Sequence, residues 1–176
     1  MKYLSKLLLI LTAAVFFSCG DNKKEEKEQI RIGDQETTQT SGTTDANSVT
    51  DGEIVEIRLT ADDQMRFDKN EIRVKAGQTV KLTFVHVGQM AKNVMGHNFV
   101  LLTQGTDINQ FGNEAVQAAN NDYIPQNTNK VIAHTKMLGG GESTTIEFQA
   151  PQAGTYDFIC SFPGHYAIMR GKFIVQ

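Results

Sequence analysis

The stretch Cys-Ser-Phe-Pro-Gly-His-Tyr-Ala-Ile-Met, residues 160–169, places a thiol, an imidazole and a thioether close together in the chain. Four residues separate Cys160 from His165, and three separate His165 from Met169. A second imidazole, His97, lies far upstream. Two imidazole nitrogens and a thiolate in a trigonal set, with a long bond to methionine, are the ligands of a blue copper centre, which transfers electrons. The spacing therefore predicts one copper ion held by these four side chains.

Each of the four side chains also has an interpretation without a metal. Cys160 alone would be a small buried hydrophobe, and Met169 alone would belong to a core. Either histidine alone would more often be structural than a ligand. The joint spacing, with Pro-Gly inside the loop, is hard to obtain from packing alone, and this combination favours copper.

Alternation of apolar and polar residues predicts the strands that carry this loop. Tyr156, Phe158 and Cys160 share one parity, and the same alternation occurs at 55–60, 71–75, 80–86 and 145–148. Period-two patterning marks half-buried strands. Turn sequences separate the strands at 75–78, 139–142 and 151–154. Many short strands with regular turns predict an all-β protein built as a β-sandwich.

One segment, residues 107–121, departs from this alternation. It contains alanines and apolar residues at helical spacing, and Asp107 precedes it as a suitable N-cap. We predict one short helical insertion here, packed on the side of the sandwich.

The first 19 residues have the pattern of a bacterial lipoprotein signal. Lys2 and Lys6 precede an apolar run, residues 7–17, which is too short to span a bilayer comfortably. The run ends in Ser18-Cys19, which predicts cleavage before Cys19 and attachment of a lipid to its thiol. The alternative is an ordinary secretory signal with an incidental cysteine.

The next segment, residues 20–52, is polar and has almost no large apolar residues. Such a segment cannot bury enough surface to offset its ordering entropy, so we predict a disordered tether. Residues 53–176 are then long enough for one domain with its own core, which would carry the copper.

Charge and cysteine content restrict the function further. The formal net charge is -3, which gives no indication of nucleic-acid binding. The chain has two cysteines, and commitment of Cys19 to a lipid leaves Cys160 unpaired in an oxidising compartment, where a free thiol needs a use. We therefore expect a periplasmic protein anchored to the membrane through Cys19, and exposure at the cell surface stays open.

Four segments resemble the azurins, within the cupredoxin family, and the resemblance covers essentially all of 53–176. It implies a Greek-key β-sandwich of the cupredoxin type and electron transport by one type 1 copper ion. The loop lengths around His165 match azurins better than plastocyanin-like proteins. The segments are Asp63-Gln64-Met65-x-Phe67, Asn93-Val-Met-Gly-His97-Asn98, Val131-Ile-Ala-His134-Thr-Lys136 and Cys160-x-Phe-Pro-Gly-His165-x-x-x-Met169.

The resemblance implies roles for residues near the predicted ligands. The carbonyl of Gly96 would approach the copper ion from the side opposite Met169. Asn98 would join the two ligand loops by hydrogen bonds, and the amide of Phe162 would donate to the Cys160 sulfur. Of the remaining histidines, we expect His86 to be buried without being a ligand and His134 to lie at the surface.

The resemblance also implies that His165 reaches the surface within an apolar patch used for brief docking. Of the patch candidates, Ile168 is the one most readily assigned to the core instead. We expect a monomer whose partners are redox proteins such as cytochromes and reductases or peroxidases. The patch candidates are Met65, Met90, Met95, Phe162, Pro163, Ala167 and Ile168.

Two other functions stay open at this point, namely a copper storage or delivery module and a metal-free structural sandwich. An enzyme is not expected, because the ligand set has no obvious open position for a substrate and no carboxylate dyad accompanies it.

Overall fold

The computed structural model describes residues 52–176. The predicted signal segment 1–19 and all but the last residue of the predicted tether 20–52 lie outside the described residues. In the described part, the strands are β1 Ile54–Asp62, β2 Arg66–Phe67, β3 Glu71–Val74, β4 Thr79–His86, β5 Val100–Leu102, β6 Val131–His134, β7 Ser143–Gln149, β8 Gly154–Ile159 and β9 Arg170–Val175. The α-helices are α1 Lys92–Met95 and α2 Ile108–Ala115, and a 3₁₀ helix spans Val116–Asn121.

The strands form two sheets that face each other across one core. The first sheet has the order β2-β1-β4-β7, and the second has the order β3-β9-β8-β5-β6. Strands β1 and β4 are parallel, as are β3 and β9, and the other pairs are antiparallel. Neighbours in a sheet are often distant in the chain, as Greek-key connections require. The predicted all-β sandwich is confirmed.

The apolar residues of the predicted alternation form the inner face of each sheet. In β4 every second residue is buried, from Val80 through Leu82 and Phe84 to His86. These side chains meet those of the opposite sheet, including Phe158, Phe173 and Cys160. Burial of one face of each sheet is the main source of stability here, because apolar area is removed from water on both sides of the core.

The helical insertion packs against the outer face of the second sheet. All three residues of β5 are buried, since Leu101 faces the inner core and its two neighbours face the insertion. Helix α2 begins after Asp107, whose carboxylate accepts a hydrogen bond from the Gln110 amide at 2.9 Å. The predicted insertion and its cap are confirmed. This second, outer cluster consists of Val100, Leu102, Phe111, Ala115, Ile124 and Ile159.

No helix among residues 52–176 combines the length and the apolar character needed to cross a membrane.

Candidate metal centre

The loop 160–169 connects the last two strands and folds back on itself. The Cys160 amide donates to the Met169 carbonyl at 3.0 Å, where β8 has ended and β9 is about to begin. Within the loop the Met169 amide donates to the His165 carbonyl at 2.8 Å. Gly164 has a φ of 81°, a left-handed conformation that costs little only for glycine. These bonds place Cys160, His165 and Met169 around one point at the end of the sandwich.

His97 reaches the same point from the short helix α1. Its backbone pairs with Leu138, with amide-to-carbonyl distances of 3.0 and 2.8 Å. Gly96 before it is tightly enclosed, because an added Cβ would lie 3.0 Å from the Met137 side chain and still closer to the Lys92 carbonyl oxygen. The glycine therefore allows the close packing that brings His97 beside Cys160.

Three donor atoms converge at this end of the sandwich. The Cys160 sulfur lies 3.8 Å from Nδ1 of His97 and 3.7 Å from Nδ1 of His165. All three atoms lie within 4.8 Å of one another. Cys160 and His97 are 0% exposed, and His165 is 4% exposed. In the sequence these residues are far apart, because His97 precedes Cys160 by 63 positions.

These distances test whether a metal ion fits the donor set. Zinc, for comparison, has bonds of about 2.0 Å to nitrogen and about 2.3 Å to sulfur. With a nitrogen–metal–sulfur angle of about 120°, such bonds place the nitrogen and the sulfur about 3.7 Å apart. The observed nitrogen–sulfur distances of 3.7 and 3.8 Å match this value. One soft thiolate with two imidazoles is also a donor set suited to copper. The residues present therefore fit a trigonally bound copper ion.

The protonation of His97 is fixed by a backbone group. Nε2 of His97 lies 2.8 Å from the carbonyl oxygen of Asp62, which can only accept a hydrogen bond. Nε2 therefore carries the proton, and Nδ1 keeps its lone pair directed towards Cys160. The sequence gives no signal for this contact, because the side chain of Asp62 takes no part in it.

Burial sets the charge state of all three donors in the metal-free protein. It lowers the pKa of His165 to about 4, with a further contribution from the neighbouring imidazoles, and it also lowers the pKa of His97. It raises the pKa of the Cys160 thiol to about 12, although hydrogen bonds from the backbone amides of Asn98 and Phe162 oppose this shift. At neutral pH the imidazoles are thus ready to bind a metal, whereas the thiol must first lose its proton.

The backbone amides of Asn98 and Phe162 both lower the pKa of the Cys160 thiol against the effect of burial, and the resemblance implied this kind of role for Phe162 only. The Asn98 side chain connects the two ligand segments as expected. Its Oδ1 accepts from the Ser161 amide at 2.8 Å, and its Nδ2 donates to the Ser161 hydroxyl at 2.8 Å and to the Asp122 carbonyl at 3.0 Å. All of the polar atoms of this buried side chain are therefore in use.

The two predicted axial groups are also close to the donors. Met169 is buried in the same core cluster as Cys160. The Gly96 carbonyl oxygen lies 3.8 Å from the Cys160 sulfur. The structure thus brings all five predicted site residues to one end of the sandwich, while their roles as ligands stay predictions.

The two remaining histidines differ as expected. His86 is fully buried, its Nε2 donates to the Met95 carbonyl at 2.8 Å, and its Nδ1 accepts from the Gly88 amide at 3.1 Å. Its ring packs against that of His97 with centroids 4.4 Å apart. It therefore supports a predicted ligand without offering a free nitrogen. His134 is exposed on β6.

The surface near the site carries several apolar side chains. Met90 is 41% exposed, Val94 is 54% exposed and Ile168 is 63% exposed. Ile168 is therefore at the surface, as its place among the patch candidates implied, and the alternative of a core position is wrong, because the loop directs it outward between the buried His165 and Met169. Val94 was not among the predicted patch residues.

Comparisons with known proteins agree with this geometry. The family of copper binding proteins described as the plastocyanin/azurin family matches residues 53–176. Azurin-1 of Alcaligenes xylosoxydans xylosoxydans is 40% identical over 120 residues, which cover 65% of this chain and 92% of that protein. Auracyanin-A of Chloroflexus aurantiacus is 38% identical over 118 residues, which cover 65% of this chain and 69% of that protein.

A solved structure shows the same fold. The reduced auracyanin of Roseiflexus castenholzii has a TM-score of 0.64 with this chain at 37% identity, covering 71% of this chain and 99% of its own. The predicted resemblance is confirmed, and the chain belongs to the plastocyanin/azurin family of copper-binding proteins.

Proposed function

We propose that this protein carries single electrons between redox partners by means of one type 1 copper ion. His97, Cys160 and His165 would be the strong ligands, and Met169 and the Gly96 carbonyl would be weaker ones. The observation that carries the proposal is the convergence of one sulfur and two Nδ1 atoms, all buried, at distances that a single ion would span.

A bound copper ion would supply one-electron chemistry by alternating between Cu(II) and Cu(I). The contribution of the chain is to hold the donors in one arrangement. The Asp62 carbonyl orients His97, the Asn98 side chain joins the two ligand segments, and the loop hydrogen bonds hold Cys160 against Met169. Donors that are held in this way move little when an electron arrives, so transfer needs little rearrangement.

Burial and family membership favour a carrier over the alternatives. A delivery site needs ligands that release the metal readily, whereas the three donors here are at most 4% exposed. Proteins of this family bind copper, which weighs against a metal-free sandwich. The protein is accordingly an electron-transfer protein rather than an enzyme.

The exposed apolar side chains of Met90, Val94 and Ile168 lie on the surface near the site and suit brief contacts with other proteins. Docking there brings a partner close to His165 without requiring a tight complex. We propose cytochromes and reductases or peroxidases as donors and acceptors, and a monomeric carrier.

The cellular setting is proposed from the sequence. Residues 1–19 would direct export and leave a lipid on Cys19, residues 20–52 would form a flexible tether, and residues 53–176 would form the copper domain in the periplasm. A tether of about 30 residues has a root-mean-square span of roughly 30 Å, which would let an anchored domain move between partners.

The visible and EPR spectra of the protein after addition of Cu(II) test the proposed site. We expect an intense blue colour, bleached by a one-electron reductant and restored on reoxidation. Cys160→Ser removes the sulfur and should abolish the colour, while Met65→Leu, outside the ligand set, should keep it. A colourless wild-type protein, or an unchanged colour in Cys160→Ser, would exclude the proposed centre. Rapid loss of copper to a mild chelator would instead favour delivery.

A further inference from the structure

The helical insertion touches the loop 160–169 directly, through a residue that is not a predicted ligand. Tyr166 follows His165 in the chain, but its ring packs outward against the outer cluster, while His165 packs inward beside Cys160. The Tyr166 hydroxyl donates to Oδ1 of Asn113 at 3.0 Å. The segment that holds His165 is thus in contact with both the core and the insertion.

Gly112 makes this contact possible. A Cβ built at Gly112 would lie 2.5 Å from Cε1 and 2.6 Å from Cγ of Tyr166, well inside the distance that real atoms tolerate. The ring therefore occupies the space that any other residue at position 112 would fill. Glycine in the interior of a helix is destabilising relative to alanine, so its presence in α2 needs a packing reason, and the Tyr166 ring provides one.

A second contact leads from the insertion to His165. Tyr123, which follows the 3₁₀ helix, meets the ring of Phe162 edge-on with centroids 5.3 Å apart. Phe162 in turn packs on the His165 imidazole at 4.6 Å. Asp122 and Tyr123 both have positive φ, 51° and 59°, a strained conformation for residues other than glycine, which persists only where the surroundings enforce it.

The same segment also reaches the second ligand loop. The Asp122 carbonyl accepts the hydrogen bond from Asn98, the side chain that joins the segments carrying His97 and Cys160. The insertion and the two residues that follow it, Asp122 and Tyr123, therefore contact the surroundings of the site at three places: at Tyr166, at Phe162 and at Asn98.

We infer that the helical insertion positions the copper-binding loop, and that Tyr166, seated against Gly112, is the residue through which it holds His165 in place. The inference rests on the proposed function, because it concerns the geometry of the copper site. The helical insertion contains none of the predicted ligands, so its role would be to position the loop that does. Tyr166 and Gly112 are positioning residues, acting on the metal only through the loop.

The test compares variants of the whole protein after loading with Cu(II), by EPR, visible spectrum and rate of copper release to a chelator. Gly112→Ala should displace the Tyr166 ring, shift the copper hyperfine splitting and speed release about tenfold, as for the loss of a group that supports a metal ligand. Tyr166→Ala should act similarly. Tyr166→Phe, which keeps the ring, should remain close to wild type, as should Asn109→Ala on an exposed position of the same helix.

The decisive comparison is the double variant Gly112→Ala/Tyr166→Ala. Without the ring, the added methyl group meets no obstacle, so it should cause no further change in spectrum or release rate beyond Tyr166→Ala. If Tyr166→Ala does not fold, Tyr166→Ser, which also leaves the space beside Gly112 open, replaces it in the same comparison.

Three outcomes would overturn the inference: unchanged EPR and release rate in Gly112→Ala, unchanged values in Tyr166→Ala, or the same damage from Gly112→Ala with and without the Tyr166 ring. Absence of a blue copper spectrum in the wild-type protein would instead contradict the proposed function, so the two failures are distinguishable.

Discussion

Replacement of Asn98 by alanine removes three hydrogen bonds that join the segments around the predicted copper site. The lost bonds are those from the Ser161 amide, to the Ser161 hydroxyl and to the Asp122 carbonyl, with lengths of 2.8, 2.8 and 3.0 Å. Asn98 and Ser161 are both fully buried, so water has little access to replace these bonds.

The expected loss of stability follows from the number of bonds. Each intramolecular hydrogen bond contributes about 1 kcal/mol net, and a buried partner left unsatisfied costs more. Asn98→Ala should therefore destabilise the metal-free protein by about 3 kcal/mol or more. For a domain of this size such a loss corresponds to a decrease of about 10 °C in Tm.

Urea unfolding of the metal-free protein, followed by circular dichroism, measures this loss as a shift of the midpoint at constant slope. Ser161→Ala is the matched control, because it removes only the bond to the hydroxyl and should cost about 1 kcal/mol. The double variant should cost little more than Asn98→Ala, since both changes remove the same bond and their effects are not additive.

Two results would refute this reasoning. The first is a cost of Asn98→Ala no larger than that of Ser161→Ala, which would mean that the bonds to the Ser161 amide and the Asp122 carbonyl contribute nothing. The second is full additivity of the two single effects in the double variant, which would mean that the two side chains do not share a bond.

Three further predictions concern the metal-free protein and its loading. Burial lowers the pKa of His165 from 6.5 to about 4, so between these pH values the unfolded chain binds a proton that the native protein does not. The free energy of unfolding in urea should therefore fall as the pH drops from about 6.5 towards 4. Above that range this group should not affect it. Burial raises the pKa of the Cys160 thiol to about 12, so copper binding at pH 7 should release about one proton from this residue. Calorimetry in buffers of different ionisation enthalpy measures the number of protons released. Cys160→Ser should release none from this position. Gly96→Ala would press a methyl group against the Lys92 carbonyl and the Met137 side chain. It should therefore weaken copper binding about tenfold or more in a competition titration. Unchanged copper affinity would contradict the tight packing around Gly96.

Much of the fold could be predicted from local patterns. The alternation in 80–86 is the buried face of β4, and the break in alternation at 107–121 is the helical insertion with its cap at Asp107. Such features depend on residues a few positions apart, because the period of two in strands and of 3.6 in helices is a property of the local backbone. The strand β5 gave no such signal, because the insertion buries its outer face as well and removes the alternation.

The sequence by itself determined the donor types, since Cys160, His165 and Met169 occur at loop spacing and His97 is a second imidazole. Only the tertiary structure decided how they are held. The register of distant strands brings His97 beside Cys160, the Asp62 carbonyl selects the His97 tautomer, and Gly112 seats the Tyr166 ring. A residue's letter does not show which group its backbone carbonyl will contact, or which side chain will fill the space beside a glycine. These contacts form only when packing brings remote segments together, and that packing depends on the whole sandwich.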